Sequence, residues 1–129
     1  MGRYYNGDIE GKFWFGVQPS DDGEFFGAVA SEPSYIDYYV DDIEKVEEGL
    51  KKCKDYLGVN ENRLNDFFNG LMNGYNEEML AKHWQDVYGI ALKTSSVQEM
   101  LGWYARLQLG LKIFECVNKN QSCSFTAEL

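Results

Sequence analysis

The longest patterned stretch of the chain, residues 96–117, carries apolar side chains at helical spacing around most of its circumference. A broad stripe and a second face beside it comprise Val97, Met100, Leu101, Tyr104, Leu107, Leu111, Phe114 and Val117, and then Trp103, Leu109, Ile113 and Cys116. A helix that is apolar on most sides lies in the middle of a fold, so the other elements are expected around it. Ser96, with Glu99 three residues later, predicts the start of this helix. Gly102 and Gly110 predict close packing against it.

Much of the first 40 residues alternates with a period of two, which is typical of strands. In residues 12–18 the apolar side chains fall on one face and Trp14 falls on the other. The turn residues 19–23 separate this run from residues 24–30, which are expected to return antiparallel as a hairpin. Residues 34–40 alternate again, so these strands are predicted to form an antiparallel meander. The apolar residues expected in its core are Phe13, Phe15, Phe26 and Ile36.

The last residues, 122–129, alternate strictly and predict a strand that pairs with the nearest available edge, that of the N-terminal meander. Three shorter helices are expected between the two ends, starting at Asp41 or Asp42, after Asn60, and at Asn76. The predicted fold class is therefore α+β, with a small antiparallel sheet made of the N-terminal meander and the C-terminal strand, packed with three or four helices. We expect one domain over residues 1–129.

The charge of the chain is distributed very unevenly. Residues 1–50 hold 12 acids against three bases, a net of −9, whereas residues 51–129 hold nine of each. The same 50 residues contain 10 of the 20 aromatic residues. An acidic surface that also carries Tyr and Trp repels nucleic acid and membrane lipid, and it suits a basic protein partner. Nucleic-acid-binding proteins are one class of such partners.

Strand alternation forces part of this acidic and aromatic set outward, because adjacent residues such as Tyr38 and Tyr39 cannot both face the core. The residues expected to bind the partner are Asp8, Glu10, Trp14, Glu24, Asp37 and Tyr39. The alternative is a small enzyme or ligand-binding module that uses carboxylates beside exposed aromatics. A deep pocket of converging carboxylates would favour the enzyme, and a flat or open acidic face would favour docking.

Other chemistries lack their sequence signals. The chain has no phosphate-binding or dinucleotide-binding glycine motif, and residues 20–24 lack the ligand spacing of a calcium loop, so a solvated turn is expected there. His83 is the only imidazole, and its spacing places it at the edge of a helical apolar stripe. The helix–break–helix pattern over residues 80–100 predicts packed core helices rather than a DNA reader, because the domain is acidic. We therefore expect no catalytic residue, metal or cofactor.

The three cysteines, Cys53, Cys116 and Cys123, lack C-x-x-C spacing and are predicted to be reduced thiols. A Cys116–Cys123 bridge is conceivable in geometry, but it would not persist in a reducing cytosol. Residues 1–8 contain no apolar run, so no secretory signal is expected there. No stretch approaches the roughly 18 apolar residues of a membrane span, so no spanning segment is expected. A cytoplasmic location is expected. The oligomeric state is not specified by these features.

Residues 2–15, GRYYNGDIEGKFWF, and residues 123–129, CSFTAEL, resemble segments of small uncharacterised proteins of viral, phage and metagenomic origin. That resemblance implies no assigned activity, and for a phage protein it implies the host cytoplasm. In charge and size the chain also resembles acidic inhibitors such as DNA-mimic proteins and some anti-CRISPR proteins. This second resemblance implies an inhibitor that docks on a basic protein.

Overall fold

We describe residues 3–14, 18–31, 37–71 and 76–127 from a computed structural model of the chain. These residues form the predicted α+β fold, with four α-helices packed against a five-stranded antiparallel sheet. The strands are β1 (Arg3–Gly7), β2 (Gly11–Phe13), β3 (Val29–Ala30), β4 (Asp37–Val40) and β5 (Cys123–Ala127). The α-helices are α1 (Ile43–Leu57), α2 (Asn60–Asn69), α3 (Glu77–His83) and α4 (Thr94–Asn120). A 3₁₀ helix at Asp22–Phe26 and a π-helical turn at Trp84–Tyr88 complete the described elements.

The C-terminal strand is the centre of the sheet, whose strand order is β2-β1-β5-β4-β3. Strand β5 pairs with β1 on one side, where Tyr5 lies opposite Ala127, and with β4 on the other, where Tyr38 lies opposite Phe125. The prediction of a C-terminal strand is confirmed, but its expected place at the edge of a continuous N-terminal meander is wrong. Two hairpins, β1–β2 and β3–β4, instead flank β5. Alternation specifies the face of a residue and leaves the neighbouring strand open.

The predicted return strand over residues 24–30 is also wrong over most of its length. Residues 22–26 form the 3₁₀ helix, Gly27 with a φ of 92° ends it, and only Val29–Ala30 is extended. The helical turn is favoured over an extended strand because it buries the Phe26 ring completely. That ring lies over two helix glycines, Gly49 in α1 and Gly110 in α4, where a Cβ atom would collide with it. The close packing expected at Gly110 is therefore confirmed.

The predicted strand over residues 12–18 is shorter than expected, since β2 ends at Phe13. Strand β1 before it had no sequence prediction, and β4 confirms the alternation at residues 37–40. Phe13 and Phe26 are in the core as expected, both with no exposed surface. The predictions for Phe15, Val17 and Ile36 fall outside the described residues, as does the position of Leu129.

The helix starts follow local capping chemistry in two of the predicted cases. The Asp42 side chain accepts hydrogen bonds from the backbone N–H groups of Glu44 and Lys45 at the start of α1. Asn76 accepts from the N–H of Met79 at the start of α3. Both residues satisfy donors that a helix end leaves open.

The long helix α4 starts two residues before the predicted Ser96 and has no side-chain cap, so the expected capping box there is wrong. It ends at Asn120 rather than near Val117. Most of its predicted stripe is buried, but Leu111 is 37% exposed. In the last turns of α4, Ile113 is fully buried instead.

The helices and the 3₁₀ helix cover one face of the sheet, which we call the inner face. Its side chains are buried: Tyr5, Phe13, Tyr38, Val40, Cys123, Phe125 and Ala127. Within the described ranges, no helix combines the length and apolar character that crossing a membrane requires.

Candidate interaction surface

The other face of the sheet, which we call the outer face, is exposed to solvent across all five strands. The strand registers place these side chains on it: Tyr4, Asn6, Lys12, Val29, Asp37, Tyr39, Ser124 and Thr126. Tyr4 is 49% exposed, Tyr39 45% and Val29 68%. No described element covers these residues. An uncovered sheet face that mixes aromatic rings and carboxylates is a candidate interaction surface.

An open groove of about 600 Å³ runs across the outer face where β1, β5 and β4 meet. Asp8, Asp37 and Tyr39 all line it, so the structure brings together three of the six residues that the sequence assigned to partner binding. The floor of the groove is the central strand, with Ser124 and Thr126. Because these two side chains are short, they leave space for the groove above β5.

Both groove carboxylates are held in place by β5. The backbone N–H of Ser124 donates to Asp8 Oδ2 over 2.9 Å, and the N–H of Asp8 donates back to the Ser124 carbonyl over the same distance. The Thr126 hydroxyl donates to Asp37 Oδ1 over 2.6 Å. Because these bonds orient the carboxylates before any partner arrives, less ordering entropy is lost on binding.

Adjacent residues Tyr38 and Tyr39 face opposite sides of the sheet, as the alternation requires. Tyr38 is buried on the inner face and stacks on Phe125 with ring centroids 5.6 Å apart. Burial raises the pKa of Tyr38 above its ordinary value of 10.0, and the negative charges of Glu24 and Asp21 raise it further. Tyr39 lies opposite Ser124, so its ring is available to a partner on the outer face.

Trp14 does not lie on the outer face, and its predicted outward orientation is wrong. Its ring is half-buried and makes edge contacts with Phe68 and Tyr104, at centroid distances of 5.3 and 5.8 Å. The physical reason is that β2 ends at Phe13, so strand alternation no longer governs the next residue. The Trp14 side chain turns instead toward helices α2 and α4.

Glu24 and Glu10 are exposed, as expected, but each lies away from the groove. Glu24 belongs to the 3₁₀ helix, whose Gly23 lies against the inner-face ring of Phe125. Glu10 lies in the turn between β1 and β2, where its carbonyl accepts a hydrogen bond from Lys112 of α4 over 2.8 Å. The predicted set of six residues thus does not form one patch.

Asp22 is a buried anchor that the sequence did not reveal, since residues 20–24 were predicted to be a solvated turn. Its carboxylate is 2% exposed and accepts from Arg106 Nε of α4 over 2.7 Å and from Gln18 Nε2 over 2.9 Å. The guanidinium of Arg106 also lies over the rings of Phe25 and Trp103. This network fastens the 3₁₀ helix to α4 on the inner face. The only sequence signal was a basic residue within an apolar helix.

A second cavity, of about 310 Å³, lies where the β1–β2 turn meets the last turns of α4. It is lined by acids and bases together, including Asp8, Glu10, Lys112, Glu115 and Lys119. Cys116 also lines it, and the sulfur of the buried Cys123 lies within 4.8 Å of the Cys116 sulfur. The three cysteines are free thiols in the described structure, as the sequence predicted.

Comparison with protein-family models, with curated proteins and with solved structures finds no match for this chain. The resemblance of residues 2–15 and 123–129 to small viral, phage and metagenomic proteins stays a prediction.

Proposed function

We propose that this protein is an interaction protein that docks the outer face of its sheet on a basic protein partner. One observation carries the proposal: the outer face is uncovered, and its central groove holds two oriented carboxylates, Asp8 and Asp37, beside the exposed ring of Tyr39. Carboxylates that accept charge-assisted hydrogen bonds from Arg or Lys form the stronger class of polar contact. An exposed Tyr ring supplies the apolar area that interface anchors provide.

The acidic excess of the described part of residues 1–50 supports a basic partner. Of the acids named below, Asp37 lines the groove, and Lys12 adds one base to the outer face. Among described residues 18–31 and 37–50, the acids that retain exposure are Asp21, Glu24, Asp37, Asp41, Asp42, Glu44, Glu47 and Glu48. Lys45 is the one base in these two ranges. Such an excess of one sign accelerates encounter with a partner of opposite charge. Within this proposal the partner is a cytoplasmic protein. One such partner is a nucleic-acid-binding protein, which docking on the outer face would inhibit.

The geometry of the groove favours docking over hydrolysis by paired carboxylates. Asp8 and Asp37 bond to β5 from its two opposite sides, so they are spread across the strand and do not converge on one point. Since neighbouring strands lie about 5 Å apart, the two carboxylates are separated by on the order of 10 Å. The groove is also open, whereas small-molecule sites bury most of their ligand.

The proposal is tested with two variants of equal net charge. Asp37→Lys reverses a charge in the groove, and Glu47→Lys reverses an exposed charge on α1, outside it. Asp8 stays unchanged in both variants. The probe is a short Lys- and Arg-rich peptide, followed by NMR titration at several salt concentrations. We expect wild-type protein and Glu47→Lys to show peptide-induced shifts at outer-face amides, and Asp37→Lys to bind at least about tenfold more weakly.

Tyr39→Ala tests the aromatic half of the surface without changing the charge. We expect it to weaken binding by about 2 kcal/mol, because the ring is the largest exposed apolar group beside the groove. Binding should also weaken steeply with salt, since charges separated by more than about 8 Å are screened at physiological ionic strength. If Asp37→Lys and Glu47→Lys bind the peptide equally, the outer face is not the docking site. Thermal melts of every variant verify that the fold is retained.

A further inference from the structure

Three potential metal ligands from distant parts of the chain meet beside the 310 Å³ cavity. Asp8 follows β1, Cys116 lies in the last third of α4, and Cys123 begins β5. One ligand atom from each, a carboxylate oxygen and two sulfurs, lies within 4.8 Å of the other two. Asp8 is exposed, whereas both cysteines are buried. The sequence predicted no metal because these residues lack any local ligand spacing.

We propose that Asp8, Cys116 and Cys123 bind one Zn²⁺ ion. Two thiolates and one carboxylate are a donor set that zinc accepts, at metal–ligand distances of about 2.0–2.3 Å. Ligands at those distances around a tetrahedral ion lie roughly 3.5–3.8 Å from one another, so the three groups need only small movements to close on it. Thiolate ligands also disfavour Mg²⁺ and Ca²⁺, which prefer oxygen.

The groups around the site already orient two of the ligands. The N–H of Ser124 holds Asp8 Oδ2, which fixes the carboxylate next to the start of β5. The Asn120 amide donates to the Cys116 sulfur over 3.8 Å, a contact that a thiolate keeps. The Cys116 S–H donates to the Ser122 carbonyl over 3.5 Å, and this bond is given up when the thiol loses its proton to bind Zn²⁺. Such outer-shell contacts position metal ligands and tune their affinity. Cys116 in the end of α4 and Cys123 at the start of β5 lie on either side of one short turn, and Asp8 reaches them from the end of β1.

The adjoining cavity supplies the fourth coordination position. It is lined by Asp8 and Cys116 and is open to solvent, so a water molecule can complete a tetrahedral set. Two thiolates and a carboxylate carry three negative charges against two on Zn²⁺. One net negative charge remains on the site, and the other charged side chains that line the cavity, Lys112 and Lys119 with Glu10 and Glu115, balance one another.

A disulfide between Cys116 and Cys123 is the competing use of these thiols. A disulfide would use both cysteine sulfurs and would give the Asp8 carboxylate no bonding role. It also needs an oxidant, whereas Zn²⁺ uses all three groups under reducing conditions. Metal binding would join the β1–β2 region, the end of α4 and the central strand, and would thereby stabilise the fold.

The test is a titration of the reduced, full-length protein with Co²⁺, which reports tetrahedral thiolate ligation through visible and near-ultraviolet absorption. We expect saturation at one equivalent, displacement of Co²⁺ by Zn²⁺, and a rise in melting temperature with Zn²⁺. Cys116→Ala and Cys123→Ala should each remove most of the thiolate absorption. Cys53→Ala is the matched control, because this third buried cysteine lies in α1, and it should leave the spectrum unchanged.

Asp8→Asn is the variant that is safest for the fold, because the side chain is exposed and an amide oxygen can still accept from Ser124. It should weaken Zn²⁺ binding by on the order of tenfold or more while preserving the melting temperature of the metal-free protein. The proposal is overturned if the folded, reduced protein gives no thiolate absorption with Co²⁺, or if the absorption survives both Cys116→Ala and Cys123→Ala. It is also overturned if the thiols form a disulfide and added Zn²⁺ neither prevents this nor binds. Since the docking variants leave all three ligands intact, the two proposals fail separately.

Discussion

The two faces of the central strand β5 differ in burial, although their residues alternate along five positions of one chain segment. Cys123, Phe125 and Ala127 are buried on the inner face, where Phe125 stacks on Tyr38 and contacts Tyr5 edge-on. Ser124 and Thr126 face outward beside the groove, where the backbone N–H of Ser124 donates to Asp8 and the Thr126 hydroxyl donates to Asp37. The difference teaches that one strand supplies both the stability of the sheet and the floor of its interaction surface. Because the two sets of side chains point to opposite faces of the sheet, substitutions can address one face at a time.

The largest effect is expected from removing residues 122–129, which takes away the inner face and the outer face together. Strand β5 pairs with both hairpins, so its loss leaves β1 and β4 without their shared neighbour. The loss should approach the whole stability of a domain of this size, about 5–15 kcal/mol. Circular dichroism should show no cooperative thermal melt. A truncated chain that melts like the full one would mean that β5 is not central.

The next test separates the two faces at neighbouring positions. Phe125→Ala should lower the free energy of unfolding by about 3–5 kcal/mol, because the ring is 3% exposed and a cavity would remain. Ser124→Ala, one residue away on the outer face, should change it by less than about 0.5 kcal/mol. Chemical denaturation measures both values. Equal costs would contradict the assignment of the two faces.

A third prediction concerns the ion pair that holds the 3₁₀ helix, residues 22–26, against α4 on the inner face. Arg106→Ala should cost about 3 kcal/mol, because it leaves the buried carboxylate of Asp22 without its cation. Lys119→Ala, an exposed change on the same helix, should cost less than about 0.5 kcal/mol. Adding Asp22→Asn to Arg106→Ala should recover part of the loss. If the double variant is as unstable as the sum of the single ones, the two side chains do not interact.

The smallest effect is expected at alkaline pH, through Tyr38 on the inner face. Its pKa in the folded protein is raised above 10.0 by burial, so the unfolded chain ionises first as pH increases. The stabilising contribution is therefore complete below about pH 10 and is lost as pH rises through the folded pKa. Tyr38→Phe should make the melting temperature less sensitive to pH in this range. An unchanged pH profile would show that Tyr38 ionises equally in both states.

Short-range patterns in the sequence predicted much of this architecture. The caps at Asp42 and Asn76, the long buried helix and the opposite orientations of Tyr38 and Tyr39 all depend on residues within one or two turns of each other. The same reasoning failed at Trp14, where strand alternation was extended past the end of β2. Periodicity predicts a face only while the element continues, and nothing local marked where this strand would end.

The candidate sites were only partly predictable. The sequence indicated the acidic residues and Tyr39, and the structure brings Asp8, Asp37 and Tyr39 to one groove while placing Glu10, Glu24 and Trp14 elsewhere. The Asp22–Arg106 pair joins residues 84 positions apart. Asp8 likewise meets the stretch that includes Cys123 across more than a hundred residues. Contacts between residues so far apart in the chain leave no local pattern in a single sequence.

The sequence by itself determined where the four α-helices lie, which residues of β4 and β5 face inward, and that the net negative charge lies in residues 1–50. These properties follow from backbone capping, side-chain periodicity and composition, all of which act over a few residues. Only the tertiary structure decided that β5 lies between two hairpins, that residues 22–26 coil over the inner face, and which carboxylates share a groove. Those choices depend on the free energy of packing between distant segments. Phe26 over Gly49 and Gly110 is one such contact, because it decides between a strand and a helical turn.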